Sequence, residues 1–326
     1  MKTIFSVLLG LALFTSPAIG KSFKIGALVP DGTSWAKNLR GMAKEIEKAT
    51  DKRVKFKLYL GGVAGDEPDV LRKIRVGQFH GGIFTGKALG EIYGDIRLLE
   101  LPFNFQSRQK ALKVLEGMQP HFLKGLDSKG FQGLGFFELG QVYIVSKKEV
   151  TNLDNLRGIK IWSWEGDKLV EAIMSNLNLV STSLALPDVL TSLQTGMIES
   201  AYATPLAIIA LQWQSKVQYL IDFPVTYTFG GLVLSKRAWK KIDGKDQQKI
   251  ISISNKWVKK TNDKTIEENA TSLQALKGSG IKFVKFPDSD LSKGNVVREK
   301  VLKELTGKLF TPEGKALFLK QMKAAG

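Results

Sequence analysis

Apolar positions along the chain switch repeatedly between a period of two and a period near 3.6. Val54, Phe56, Leu58 and Leu60 alternate with Lys55, Lys57 and Tyr59, which predicts a strand with one buried face. Residues 23–29 form a shorter apolar run of strand type. Asp31-Gly32-Thr33-Ser34 then supplies a turn and a helix start, and Trp35, Leu39, Met42, Ala43 and Ile46 fall on one helical face. Pro68 takes a first helical position, with Val70, Leu71 and Ile74 at helical spacing and Gly77 as the stop. Further strands are predicted at 80–85, 134–145, 158–162, 198–203, 228–234 and 281–286. A helix opens at Pro187, carries Val189, Leu190 and Leu193, and ends at Gly196. Residues 236–277 read as a long, largely helical stretch with Trp239, Ile242, Ile250, Ile253, Trp257 and Ile266. Repeated strand–helix–strand units predict an α/β protein with mixed, mostly parallel sheets covered by helices. The strands are too many for one small sheet, and no solenoid period is visible.

The first twenty residues follow a different logic. Lys2 is a positive start, residues 4–14 are an apolar run too short for a bilayer span of about 20 residues, and Pro17, Ala18 and Gly20 mark a cleavage region. Residues 1–20 are therefore expected to be a secretory signal peptide, cleaved near Gly20, which sends the protein to the periplasm. The 326-residue length suits two domains, and the 43% hydrophobic content suits a folded chain. The absence of cysteine excludes disulfides, thiolate metal sites and a cysteine nucleophile. Two histidines, His80 and His121, are too few for a histidine-rich metal site. The net charge of +17 comes from lysines scattered along the chain, with no aromatic-interleaved basic stripe. It reads as a high-pI soluble protein and not as nucleic-acid binding, with attraction to an acidic membrane surface as the competing reading.

Candidate chemistry is sparse. Gly81-Gly82-Ile83-Phe84-Thr85-Gly86-Lys87 has nearly the spacing of a phosphate-binding loop, but Ala88 stands where a magnesium-binding hydroxyl belongs and the first half reads as strand. His80 falls in a buried-looking strand and His121 follows Pro120 in a connection, neither near a nucleophile elbow. No cofactor, metal or catalytic site is predicted. Asp66-Glu67-Pro68-Asp69 clusters acids at a helix start, where capping alone stabilises by roughly 0.5–1 kcal/mol. Trp162 and Trp164, two apart at a strand end, point to one face. They read equally well as core packing or as the aromatic wall of a pocket beyond the carboxyl ends of the strands.

The order of motifs resembles the extracytoplasmic substrate-binding proteins of TRAP transporters, of the dicarboxylate-binding type, over nearly all of the mature chain. The residues that carry the resemblance are Lys57-Leu58-Tyr59-Leu60-Gly61-Gly62 with Gly65-Asp66-Glu67, Leu101-Pro102-Phe103, and Asn155-Leu156-Arg157-Gly158-Ile159-Lys160. Leu193-Gln194-Thr195-Gly196 follows, then Ile198-Glu199, Thr204-Pro205, and Ser235 with Trp239. The resemblance implies a two-lobed periplasmic binding protein fold with hinge segments and a very long helix spanning both lobes. The lobes would be 21–139 with 228–267, and 140–227 with 268–326. It implies a solute-binding protein, not an enzyme, that closes on a small-molecule ligand and delivers it to a TRAP-type membrane permease driven by an ion gradient. The alternative is a periplasmic carrier or chaperone for a hydrophobic molecule without a permease. Relatives of this kind also occur beside periplasmic helical-repeat partner proteins, although no residue here points to such a partner.

One departure from the family pattern decides the expected ligand. The family usually places an arginine four residues after the motif glycine, and this chain has Trp162 there. A second arginine is often found where this chain has Val142, and an asparagine where it has Thr204. A guanidinium fork is the natural carboxylate clamp, worth roughly 1.5–3 kcal/mol per charge-assisted bond, whereas an indole offers one donor and a large apolar face. The resemblance therefore implies a ligand that is neutral, apolar or aromatic-contacting, with a cationic one open through cation–π contact. The expected lining is Trp162, Trp164, Val142, Gln141, Phe84, Leu186, Tyr202, Thr204 and Phe229, with Glu67 as a polar handle.

Overall fold

The computed structural model describes residues 20–326 apart from residue 106, so the expected signal peptide falls, but for Gly20, outside the described residues. Among the described residues, nine strands share one sheet: β1 (Lys21–Ala27), β2 (Val54–Tyr59), β3 (Gly81–Thr85), β4 (Phe131–Ser146), β5 (Ile161–Trp164), β6 (Ser181–Leu184), β7 (Ser200–Ala203), β8 (Tyr219–Ser235) and β9 (Lys282–Val284). Their order is β2-β1-β3-β8-β4-β7-β5-β6, with β9 beside β8. β1 runs parallel to β2 and β3, and β5 runs parallel to β6 and β7. Between these groups β8 pairs antiparallel with both β3 and β4, and β4 pairs antiparallel with β7. The sheet is thus mixed. Its two parallel ends are joined by β4 and β8, of 16 and 17 residues, which run through both.

The joining strands are irregular by sequence. The β4–β8 register shifts at Gly133/Gly135, Glu138/Gly140 and Val142/Ile144, and such bulges add local twist. Only the second half of β8 is legible as a strand, because Asp222 and Pro224 interrupt its first half. Pro224 lies between Ile221 and Thr226, where β8 has no pairing partner on β4 and its missing N–H costs nothing.

Helices cover both faces. Thr33 caps Ser34–Ala49 by accepting from the Ala36 N–H, and Trp35, Leu39, Met42 and Ile46 form its buried stripe. The 35-residue helix Gly244–Gly278 packs on Ser34–Ala49, on β4 and on the short helix Pro205–Ala210, and so touches elements at both ends of the sheet. The helix Arg108–Ser128 was not anticipated, because Pro120 inside it mimics a break; His121 therefore lies on a helix and not in a connection. Near the C-terminus, Ser289–Leu305 packs on Lys168–Asn176, whereas Pro312–Ala324 packs on Arg108–Ser128. Among the described residues, no helix is long and apolar enough to cross a membrane.

Candidate functional site

The parallel strands β1, β3, β5, β6 and β7 all bring the ends of their chains to one cavity. Leu28, Val29 and Pro30 follow β1, Thr85 ends β3, Trp164 ends β5, Leu186 lies just past β6, and Ala203 and Thr204 lie at the end of β7. This is where an open α/β sheet places a ligand, since the connections diverge there and leave a crevice. The cavity holds about 320 Å³ and its lining is predominantly apolar. Part of the lining, Leu153, Leu156, Ile161, Val170 and Met174, belongs to one hydrophobic cluster, and Leu211 and Trp213 belong to another.

Trp162 is almost wholly buried in this wall. Its ring stacks on Tyr202 with centroids 4.9 Å apart, and Trp164 and Trp213 each stand 5.6 Å away. Its indole nitrogen donates to the Leu184 carbonyl at 3.0 Å, so its single donor is used inside the protein. Trp164 donates to Asp66 Oδ2 at 3.0 Å, and the Lys87 ammonium lies 5.8 Å from the Trp164 ring. Both tryptophans therefore present apolar surface and no free donor.

Glu67 is buried at the start of the helix Glu67–Arg75, where Asp66 is the N-cap. Its carboxyl accepts from the Thr85 N–H at 2.6 Å and from Thr85 Oγ1 at 2.7 Å. Burial pushes this carboxyl up to about 7, against the Thr85 bonds, which favour the charged form. Glu67 places a buried carboxyl in the cavity lining.

Four charged groups in the wall, Lys87, Arg97, Glu100 and Asp167, were not anticipated. Arg97 Nη2 donates to both oxygens of Asp167, at 2.8 and 2.7 Å, and Nη1 pairs with Glu100. Burial alone would lower the Arg97 pKa, but the charges of Asp167 and Glu100 outweigh it and the net shift is upward. Glu100 also accepts from Thr228 Oγ1 and the Phe229 N–H; burial raises its pKa, opposed by Arg97. Lys87, on the helix Gly86–Ile92, is buried and pairs with Glu91 at 2.7 Å. The segment 81–85 before it is strand β3, so the glycine-rich stretch forms no phosphate loop. A signal for Arg97 existed in the sequence: Asp95, Arg97 and Glu100 sit among Ile96, Leu98, Leu99 and Leu101, and charges inside so apolar a run must find partners.

The structure brings Trp162, Trp164, Val142, Glu67, Phe84, Leu186, Tyr202 and Thr204 to this cavity. Gln141 and Phe229 lie elsewhere, which corrects their expected place in the lining. Successive strand residues face opposite sides, so Val142 faces the cavity while Gln141 and Tyr143 line a second one with Arg108, Glu138 and Asn269. Likewise Thr228 and Gly230 face the ligand cavity, and Phe229 packs into the core with Tyr227 and Phe136. Among the described residues, no group of three or more His, Asp or Glu side chains is placed to hold a metal ion.

The family model for bacterial extracellular solute-binding proteins, family 7, matches residues 25–308. A solute-binding protein of Verminephrobacter eiseniae is 24% identical over 244 residues, covering 74% of this chain and 72% of that protein. The C4-dicarboxylate-binding periplasmic protein DctP of Rhodobacter capsulatus is 21% identical over 280 residues, covering 85% and 83%. A solved TRAP periplasmic solute-binding protein from Chromohalobacter salexigens, with bound D-glucuronate, has a TM-score of 0.84 at 23% identity, covering 93% of this chain and 99% of that one. Another, from Desulfovibrio salexigens with bound orotic acid, has a TM-score of 0.87 at 16% identity, covering 94% and 99%.

Proposed function

Since the chain belongs to the bacterial extracellular solute-binding proteins of family 7, we propose that it delivers an apolar, neutral or aromatic-contacting solute, and not a simple carboxylate, to a TRAP-type ion-gradient-driven permease. That it is a TRAP-type solute-binding protein follows from the family; the ligand class is our reading of the cavity. The solved relatives hold acids such as D-glucuronate and orotic acid. One observation supports a ligand other than a carboxylate: Trp162 lies in the wall with its donor spent on Leu184, and Arg97, which lines the cavity, is already forked on Asp167 and Glu100. A ligand carboxylate would enter an apolar crevice without a free guanidinium, at a desolvation cost of several kcal/mol.

Delivery works by closure. The lobes in this reading are 21–139 with 228–267, and 140–227 with 268–311; the last helix, expected in the second lobe, is assigned to the first because it packs on Arg108–Ser128. The boundary at Leu139–Gly140 has the features of a hinge. Gly140 has φ +112, the β4 register shifts there, and Asn269 bridges the segment by donating to the Leu139 carbonyl at 2.8 Å and accepting from the Leu206 N–H at 3.1 Å. Walls from both lobes meet around the cavity, so a ligand touching both favours the closed state by its differential affinity.

Native mass spectrometry of freshly purified protein tests the ligand class directly. The expected result is a co-purified neutral or apolar molecule whose removal shifts tryptophan emission. Tight calorimetric binding of D-glucuronate or a C4-dicarboxylate to the unmodified protein would overturn it.

A further inference from the structure

We infer that Asp167 is a specificity-determining residue: it occupies the Arg97 fork from the opposite lobe, takes the place a ligand carboxylate would take, and so excludes acids from the cavity. The inference rests on the ligand class proposed above and explains how the protein enforces it.

An arginine in a ligand cavity is ordinarily a receptor for carboxylates, because its planar fork matches two carboxylate oxygens. Arg97 lines the cavity and is buried. Both Asp167 oxygens lie within 2.8 Å of its Nη2, from a residue 70 positions along the chain. Asp167 is not free to swing away. It caps the helix Lys168–Asn176, its Oδ1 accepting from the Leu169 and Val170 N–H groups at 3.1 and 3.2 Å. The helix start thus fixes the carboxylate in place. On the other side, Glu100 is fixed by Thr228 and the Phe229 N–H. The guanidinium lies between two anchored carboxyl groups.

The rest of the wall repeats the pattern. The other cation lining the cavity, Lys87, pairs with Glu91. Glu67 adds a third acid to the lining. An incoming carboxylate would have to displace Asp167 or lie beside it unpaired, and like charges at contact distance in a buried site repel. A neutral head group meets neither cost.

The test compares octanoate with octanol by titration calorimetry at pH 7.5, on the native chain, Asp167→Asn, Asp167→Ser and the double variant Arg97→Met/Asp167→Asn. Asn and Ser both keep an N-cap acceptor, so each variant preserves the helix start, and circular dichroism melting confirms the fold. The expected result is that the ratio of octanoate to octanol affinity rises at least tenfold in either single variant and that the rise disappears in the double variant. An unmoved ratio in both single variants, a rise that survives loss of Arg97, or a native chain that already binds octanoate as tightly as octanol would overturn the inference. If the native chain binds no octanol, the apolar-ligand reading fails by itself. Octanoate then decides alone: binding that appears in Asp167→Asn upholds the inference, and none in either single variant overturns it.

Discussion

Trp162 and Tyr202 stack face to face, with ring centroids 4.9 Å apart and planes 27° from parallel. The pair joins strand β5 to strand β7 at their carboxyl ends, where the sheet stops and the cavity begins. Tyr202 contributes its ring and also its hydroxyl, which accepts from the Trp164 N–H at 3.4 Å; burial drives the pKa of that hydroxyl upward, so it stays neutral. The aromatic wall is therefore rigid and uncharged, and both of its indole donors are satisfied within the protein.

That rigidity makes Trp162 a structural residue as well as a wall of the cavity. Trp162→Ala should destabilise the fold by about 3–5 kcal/mol, the usual cost of truncating a buried indole. Urea unfolding followed by far-UV circular dichroism measures this. A loss below about 1 kcal/mol would mean that the ring is held only by ligand and not by Tyr202, Trp213 and Trp164. Trp162→Arg, which replaces the apolar ring by a guanidinium, should weaken octanol binding; unchanged binding would remove the ring from the ligand wall.

Glu67 gives the molecule a pH dependence near neutrality. Its carboxyl ionises near pH 7 when folded and in the ordinary glutamate range when unfolded. Between those values the folded state holds the extra proton, so stability is fully present below about pH 4.5 and falls as pH rises toward 7. The span is on the order of 3 kcal/mol. Glu67→Gln removes the titrating group while its amide oxygen can still accept from the Thr85 N–H. The variant should flatten the stability profile between pH 4.5 and 7 and be the more stable protein at pH 8. Parallel profiles for the two proteins would show that Glu67 does not titrate in that window.

How far the site was legible in the sequence depends on the range of the physics involved. Trp162 and Trp164 could be placed because strand alternation is local and both fall in the short strand β5, whereas Val142, interior to β4, was placed by the family resemblance. The same rule moves Gln141 and Phe229 to the other face, since each adjoins a residue that points inward. Arg97, Asp167 and Lys87 were not legible as a site. What makes Arg97 unavailable is a partner 70 residues away, and no period or motif encodes that distance. The single joined sheet was hidden for a similar reason: Pro224 and Asp222 disguise the first half of β8, although its pairing with β4 resumes at Ile221.

The C-terminal helix Pro312–Ala324 hangs on one buried carboxylate. Asp95 is fully buried and accepts from the Thr311 N–H and Thr311 Oγ1, both at 2.6 Å, and from the Tyr93 hydroxyl at 2.9 Å; His121 Nε2 lies 2.7 Å away. Thr311 is the N-cap of that helix. Asp95→Ala leaves several of these groups without partners, at about 1–3 kcal/mol each before relaxation. Hydrogen exchange should accelerate at least tenfold in peptides covering 307–326 while β1 and β2 stay protected. Equal protection of the C-terminal peptides in the variant and the native protein would show that apolar packing alone holds the helix.

The net charge of +17 and the apolar cavity predict opposite responses to salt. Association through scattered surface lysines is screened beyond a Debye length of about 10 Å at 0.1 M salt and about 3 Å at 1 M, so it should fall by an order of magnitude or more over that range. Burial of a neutral ligand among Leu156, Met174, Trp162 and Leu211 involves no exposed charge, and excluded salts slightly strengthen apolar burial. Octanol affinity should therefore change by less than about twofold between 0.1 and 1 M sodium chloride, whereas adsorption to anionic vesicles should be abolished. A tenfold loss of octanol affinity at high salt would move the binding out of the crevice and onto the basic surface.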